Sequence, residues 1–196
     1  MTKKTLIDDK GQVLIPDPPI ARALYQTTKF AWLWLAIRLY LGYSWVMSGW
    51  GKITNPAWQT GGPLRGFWEN AIAIPEAGRP AIAFDWYRTY IQFMLDNQWY
   101  EWFAGLVMYG ELLVGIALIL GAFTGLAAFA GGFMNWNFIM AGSASVNGVM
   151  LTLAVFLILA WKVAGWYGLD RWLLTLLGTR QRIEPISSGV PQPASD

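Results

Sequence analysis

From Phe30 to Lys52 the chain reads FAWLWLAIRLYLGYSWVMSGWGK, a run of nearly unbroken apolar and aromatic side chains. A helix of about twenty such residues crosses a bilayer. No other stretch limits the possible folds so sharply, because Arg38 lies well inside it. A guanidinium at that depth is expensive unless it faces a partner or a water-filled cavity. Arg38, Gly42, Trp45, Gly49 and Lys52 recur at spacings of four, three, four and three, which places them along one helix face. That stripe carries two cations, a tryptophan and two glycines that admit a close neighbour. It either pairs with an acid to hold a helix bundle together or marks a ligand or proton site.

The remaining composition supports an integral membrane protein. Of 196 residues, 55% are hydrophobic and only 13% charged, about half the charged share of an average soluble domain. Thirteen tryptophans and eight tyrosines suit aromatic belts at two interfaces. Cysteine and histidine are both absent, which removes thiolate nucleophiles, disulfides, iron–sulfur ligation and the usual haem and zinc ligands. No metal site is expected, and electrons in any redox reaction reside on a bound small molecule or on a partner. A net charge of +2 gives no reason to expect nucleic acid.

Residues 1–29 read as a polar cytoplasmic tail and interfacial helix. No apolar core follows Lys3 and Lys4, so no signal peptide is expected in this segment. Leu6 and Val13 to Ile15 are candidates for a short strand. The first span is expected to end near Gly51, and the Gly/Pro/Asn-rich stretch that follows reads as loop. Pro80 to Asn97 reads as a helix on the membrane surface, aromatic but carrying Asp85, Arg88 and Asp96. Further spans are expected at Trp99 to Gly121, Leu126 to Ala141 and Val149 to Trp166, followed by an amphipathic segment with Leu169, Trp172, Leu173 and Leu176 on one side. From 182 to 196 the chain is Pro/Ser-rich and reads as a disordered tail.

The predicted fold is therefore all-α. It is an integral membrane four-helix bundle over residues 30–181, with an extracytoplasmic loop/helix insertion at 53–98 between helices 1 and 2. Nine Lys and Arg flank the terminal sides and four lie in the long insertion, so both termini are expected in the cytoplasm of a cell (inner) membrane protein. No internal repeat points to a transporter.

Measured by helix rise from a common cytoplasmic boundary, Arg38 lies about 12 Å deep, Glu111 about 15 Å and Asn135 about 16 Å. Arg38 and Glu111 are therefore expected to meet, with Asn135 beside them, as a catalytic pair or as a structural ion pair. Lys52, Asn55, Gln59 and Arg65 sit among Trp50, Trp58, Phe67 and Trp68 at the outer mouth. They can anchor the chain at the interface or bind an anion or a flat ring.

Three runs resemble the DoxX-like membrane family, and its DoxD branch in particular. They are IRLYLGYSWVMSGWGKI (Ile37 to Ile53), GELLVGIALILGAFTGLAA (Gly110 to Ala128) and GWYGLDRWL (Gly165 to Leu173). The long insertion is what resembles DoxD, the membrane subunit of thiosulfate:quinone oxidoreductase. The resemblance implies four transmembrane helices and a membrane subunit of a quinone-linked oxidoreductase, with a quinone as the small molecule served and no covalently bound cofactor. Arg38 and Glu111 would then orient the quinone or pass its protons, with Lys52, Trp45, Asn135 and Trp50 binding it. The alternative is a non-catalytic scaffold or accessory subunit of a larger membrane complex. Both readings imply the lipid bilayer and other membrane or peripheral subunits as partners. They differ in one respect: a quinone site needs a side opening between helices with Arg38 or Glu111 at its end, whereas a scaffold seals those residues.

Overall fold

A computed structural model describes residues 17–176 and a two-residue antiparallel ladder, β1 (Leu6–Ile7) against β2 (Val13–Leu14). The disordered tail expected at 182–196 lies outside the described residues, as do residues 1–5, 8–12 and 15–16 of the 1–29 segment. Among the described residues every other regular element is a helix. α1 (Pro19–Tyr25) and a single 3-10 turn (Thr28–Phe30) lead into α2 (Ala31–Ile53). A capping layer follows: α3 (Pro56–Gln59), α4 (Gly62–Ile72) and α5 (Asp85–Asp96). The chain then forms α6 (Tyr100–Leu120), α7 (Thr124–Met140), α8 (Asn147–Leu159), α9 (Trp161–Ala164) and α10 (Asp170–Leu176).

Four helices form a ring in which α2 packs on α6, α6 on α7, α7 on α8, and α8 back on α2. The tightest joint is α2 on α6, and its glycines explain why. A Cβ at Gly42 would lie 2.8 Å from Ile119 Cγ1, one at Gly49 2.7 Å from the Leu112 amide nitrogen, and one at Gly115 2.6 Å from the Val46 amide nitrogen. Backbone meets backbone there, as small residues allow between helices that have lipid rather than water around them. Only α6, among the described helices, is both long and apolar enough to cross a membrane. α2 is longer but carries Arg38 and Lys52, while α7 and α8 have 17 and 13 residues.

The expected loop after α2 is a correction. Its residues 62–72 form a helix, because Gly61 turns the chain at φ +74° and Pro63 occupies the first helical turn, where its missing N–H costs nothing. The Gly-Pro pair starts a helix rather than ending one. Leu64, Trp68 and Ala71 then form its buried face. α5 begins at Asp85, five residues later than Pro80 suggests, since residues 80–84 run extended or bent up to its N-cap, Phe84. Tyr87, Ile91 and Met94 face inward from α5. With Leu64, Trp68, Ala71, Ile82, Ala104 and Ala141 they form a second core, separate from the larger one inside the ring. The capping layer thus seats on α6 and α7 at the end of the ring where α2 finishes. We call this the cap end, and the opposite end, where α2 begins and α10 lies, the tail end.

Large apolar side chains cover the outside of the ring. Leu106, Leu113, Leu126, Phe129 and Phe133 are all more than half exposed. A protein surrounded by water rarely shows so much contiguous apolar surface.

Candidate functional site

Arg38 and Glu111 do not meet. The glycine seam sets α2 antiparallel to α6 so that Gly42 lies against Gly115 and Ile119, and Gly49 against Met108 and Leu112. That register places Arg38 opposite Gly121 and Glu111 opposite Ser48. Glu111 and Gly121 are ten residues apart on α6, about 15 Å of helix axis. Depth counted from a common boundary fails here because α2 starts two turns beyond the point where α6 ends.

At the tail end Arg38 is wholly buried, with its guanidinium wedged between Gly121 and Gly168. A Cβ on either glycine would collide with Nη1. Gly121 is in the left-handed region (φ +65°), so it is required there twice over, for the turn and for the space. Nη2 donates to the Tyr167 carbonyl at 3.3 Å, while Nε and Nη1 have no hydrogen-bond partner among the described residues. The nearest compensating charge is Asp170, itself buried. Asp170 accepts the Phe123 N–H at 2.6 Å and the Thr124 N–H at 2.8 Å, and so caps the start of α7 from 46 residues away. In return the Leu169 and Asp170 amides donate to the carbonyls of Leu120 and Gly121, which end α6. A single segment, 165–170, therefore closes two helix ends and covers a cation. Nothing in the local pattern around Asp170 signals this role, because its partners lie in a distant turn.

At the cap end Lys52 donates to Glu111 Oε2 at 2.6 Å and to Ser48 Oγ at 2.6 Å. Glu111 is 1% exposed and the Lys52 side chain 18%. The ammonium also lies 5.2 Å from the Trp58 ring centroid. Lys52 is thus the true partner of Glu111; it stands on the same stripe as Arg38, fourteen residues further on.

The pair forms one wall of a cleft of about 420 Å³ between α2, α4 and α8. Trp45, Ser44 and Ser48 contribute from α2, Phe67 from α4, Phe138 from α7, and Asn147 from α8. The cleft reaches the exterior beside Tyr40 and Val146, which are 50% and 61% exposed. Trp45 is buried and bounds it with its indole against α7, where a Cβ at Gly131 would lie 2.8 Å from Nε1. Asn135 lies one turn further along α7, fully buried, with no hydrogen-bond partner for its amide among the described residues. It shares its helix face with Gly131. Trp50 is 57% exposed and is not among the residues that line the cleft. Arg65 also stands apart, bound to Glu69 at 2.7 Å on the outer face of α4.

A second cavity, of about 430 Å³, lies between α4, α5, α6 and α7. Its walls are mostly apolar; the polar side chains among them are Tyr87, Tyr90 and Asn137, and the Tyr87 hydroxyl donates to the Asn137 carbonyl at 3.1 Å and Oδ1 at 3.2 Å. Burial, reinforced by neighbouring Tyr90, pushes the Tyr87 phenol up to about 12. Leu64, Phe67 and Phe138 line both cavities.

A family model for DoxX matches residues 33–144, more than half of the chain, and the chain belongs to the DoxX family. The matched region contains Arg38, Trp45, Lys52, Glu111 and Asn135, and ends before Asp170. No curated protein and no solved structure matches the chain at a significant level.

Proposed function

We propose that this DoxX-family chain is a quinone-interacting membrane subunit of an oxidoreductase, with the Lys52–Glu111 cleft as its quinone site. The carrying observation is the side opening: a buried carboxylate paired with a lysine ends a cleft that reaches the exterior between helices. The volume is within the range of small-molecule sites, and the walls combine aromatic faces with a few polar groups. Lys52 Nζ and Ser48 Oγ can hold a carbonyl oxygen, and Trp45 and Trp58 can flank a ring. Bound there, a quinone would supply two-electron, two-proton chemistry. Glu111 and Lys52 can hold a proton between Oε2 and Nζ and deliver it at that carbonyl position. With neither cysteine nor histidine in the chain, the reductant is assigned to a partner subunit or to an anionic substrate. The DoxD branch, with thiosulfate as the electron source, belongs to this proposal and rests on the resemblance of the long insertion.

The same reading places α2, α6, α7 and the α8–α9 pair across the cytoplasmic membrane, with the tail end and both termini inside and the capping layer outside. The exposed apolar girdle and the nine-to-four distribution of Lys and Arg support it. Since the chain has no cysteine, single cysteines at Thr28 and Thr60 are clean reporters. Thr28→Cys should label only from the cytoplasm and Thr60→Cys only from outside; labelling of both from one face would end this topology.

A short-tailed quinone should quench the tryptophan fluorescence of the purified wild-type chain, and Glu111→Gln should weaken that binding about tenfold at unchanged protein yield. Equal binding by the two proteins removes Glu111 from the site. The scaffold reading draws its support from Arg38, which is sealed, and gains if no quinone binds.

A further inference from the structure

We propose that the α4–α7 cavity receives the hydrocarbon tail of the quinone whose ring occupies the Lys52–Glu111 cleft; this rests on the reading of that cleft given above. The two cavities are nearly equal in size, about 430 and 420 Å³, and opposite in character. One presents a charged pair and hydroxyls. The other presents Ile91, Met94, Val107 and Met134; Tyr87 is satisfied within the protein by donating to Asn137, and the remaining polar side chain of the lining is the partly exposed Tyr90. Such a lining rejects a charged headgroup, which would be stranded there without a partner, and accepts hydrocarbon.

The wall between the cavities is thin. Leu64, Phe67 and Phe138 face both sides, and the two phenyl rings meet edge to face at 6.3 Å. On this inference rotation of one ring, with Leu64 giving way, would join the chambers. The apolar chamber also reaches the outer surface beside Leu106 and Phe133, 57% and 56% exposed, on the girdle assigned to lipid. A molecule with a polar ring and an apolar chain matches this pair of chambers end to end. A tail lying out in the bilayer would leave the apolar chamber unused.

Photo-crosslinking of the full chain in lipid nanodiscs tests the inference. Two quinone probes are used, one with a diazirine on the ring and one with a diazirine midway along an isoprenoid tail. The tail probe is expected to mark Ile91, Met94, Val107 or Met134, and the ring probe Trp45 or Ser48. Ala130→Phe and, separately, Gly110→Val both narrow the apolar chamber; Gly110 has only the flexible Met134 sulfur near the added carbon, at 3.7 Å. Each should abolish the tail marks and leave the ring marks in place. Ring marks at Trp45 or Ser48 with tail marks on the lipid-facing Leu39, Tyr43 or Ile116 overturn this inference and leave the quinone site standing. Tail marks that survive both substitutions also overturn it. If the ring probe marks neither Trp45 nor Ser48, the quinone reading and this inference fall together.

Discussion

The two ends of the helix ring each hold a cation of α2, buried at one end and half-buried at the other, and they handle it in opposite ways. At the tail end Arg38 is shut in by Gly121, Gly168 and the 165–170 segment, its charge offset by an Asp170 whose own oxygens are committed to the start of α7. At the cap end Lys52 is in direct contact with Glu111, beside a cleft that opens to the exterior. The first arrangement ties chain segments together and admits nothing. The second leaves an ion pair on the wall of a cleft that is open to the exterior. A buried membrane charge is therefore diagnostic of function only together with its access route.

This contrast can be broken by substitution. The largest effect is expected at the sealed end. Asp170→Ala removes the acceptor of two buried amides and the charge facing Arg38, and should cost about 3–5 kcal/mol in thermal or denaturant unfolding of the detergent-solubilised protein. A loss below 1 kcal/mol would mean that the segment is not a latch. Next, Lys52→Met strands Glu111 and should destabilise by about 3 kcal/mol, and pairing it with Glu111→Leu should restore part of the loss. Losses that simply add would show that the two groups do not form a working pair.

Additivity is expected instead between the ends. Arg38→Gln and Glu111→Gln should combine to within about 0.5 kcal/mol, because groups this far apart share no partner. A strong departure would reinstate the direct pairing inferred from depth alone. The smallest effect concerns the capping layer. The Tyr87 phenol titrates at about 12 in the folded protein, above its ordinary 10. Stability is therefore intact below pH 10 and is lost as the pH rises through 12. Tyr87→Phe should remove that alkaline loss, at a cost of about 1 kcal/mol near neutrality from the broken bond to Asn137.

The sequence makes some of this plain. The spacing of Gly42 and Gly49 announces a close neighbour along the face that carries Arg38 and Lys52, and α6 is that neighbour. The acid on the second long apolar helix is equally visible. Its partner is not, since helical periodicity fixes which residues share a face but says nothing about the axial offset between two helices. That offset decides between Arg38 and Lys52. α4 was hidden for another reason: Gly-Pro carries opposite meanings at the end and at the beginning of a helix, and only the Leu64, Trp68, Ala71 spacing separates them. Asp170 was hidden because its partners, Phe123 and Thr124, lie in a turn with no pattern pointing to it.

The glycine seam also acts as a vernier. Sliding α2 by one residue along α6 would push a side chain into the backbone at Gly42, Gly49 and Gly115 together, so the two helices fit in one notch only. Lys52 and Glu111, 59 residues apart in the chain, owe their alignment to positions that carry no functional group at all. Drift at those glycines would mistune the pair while leaving every charged residue in place.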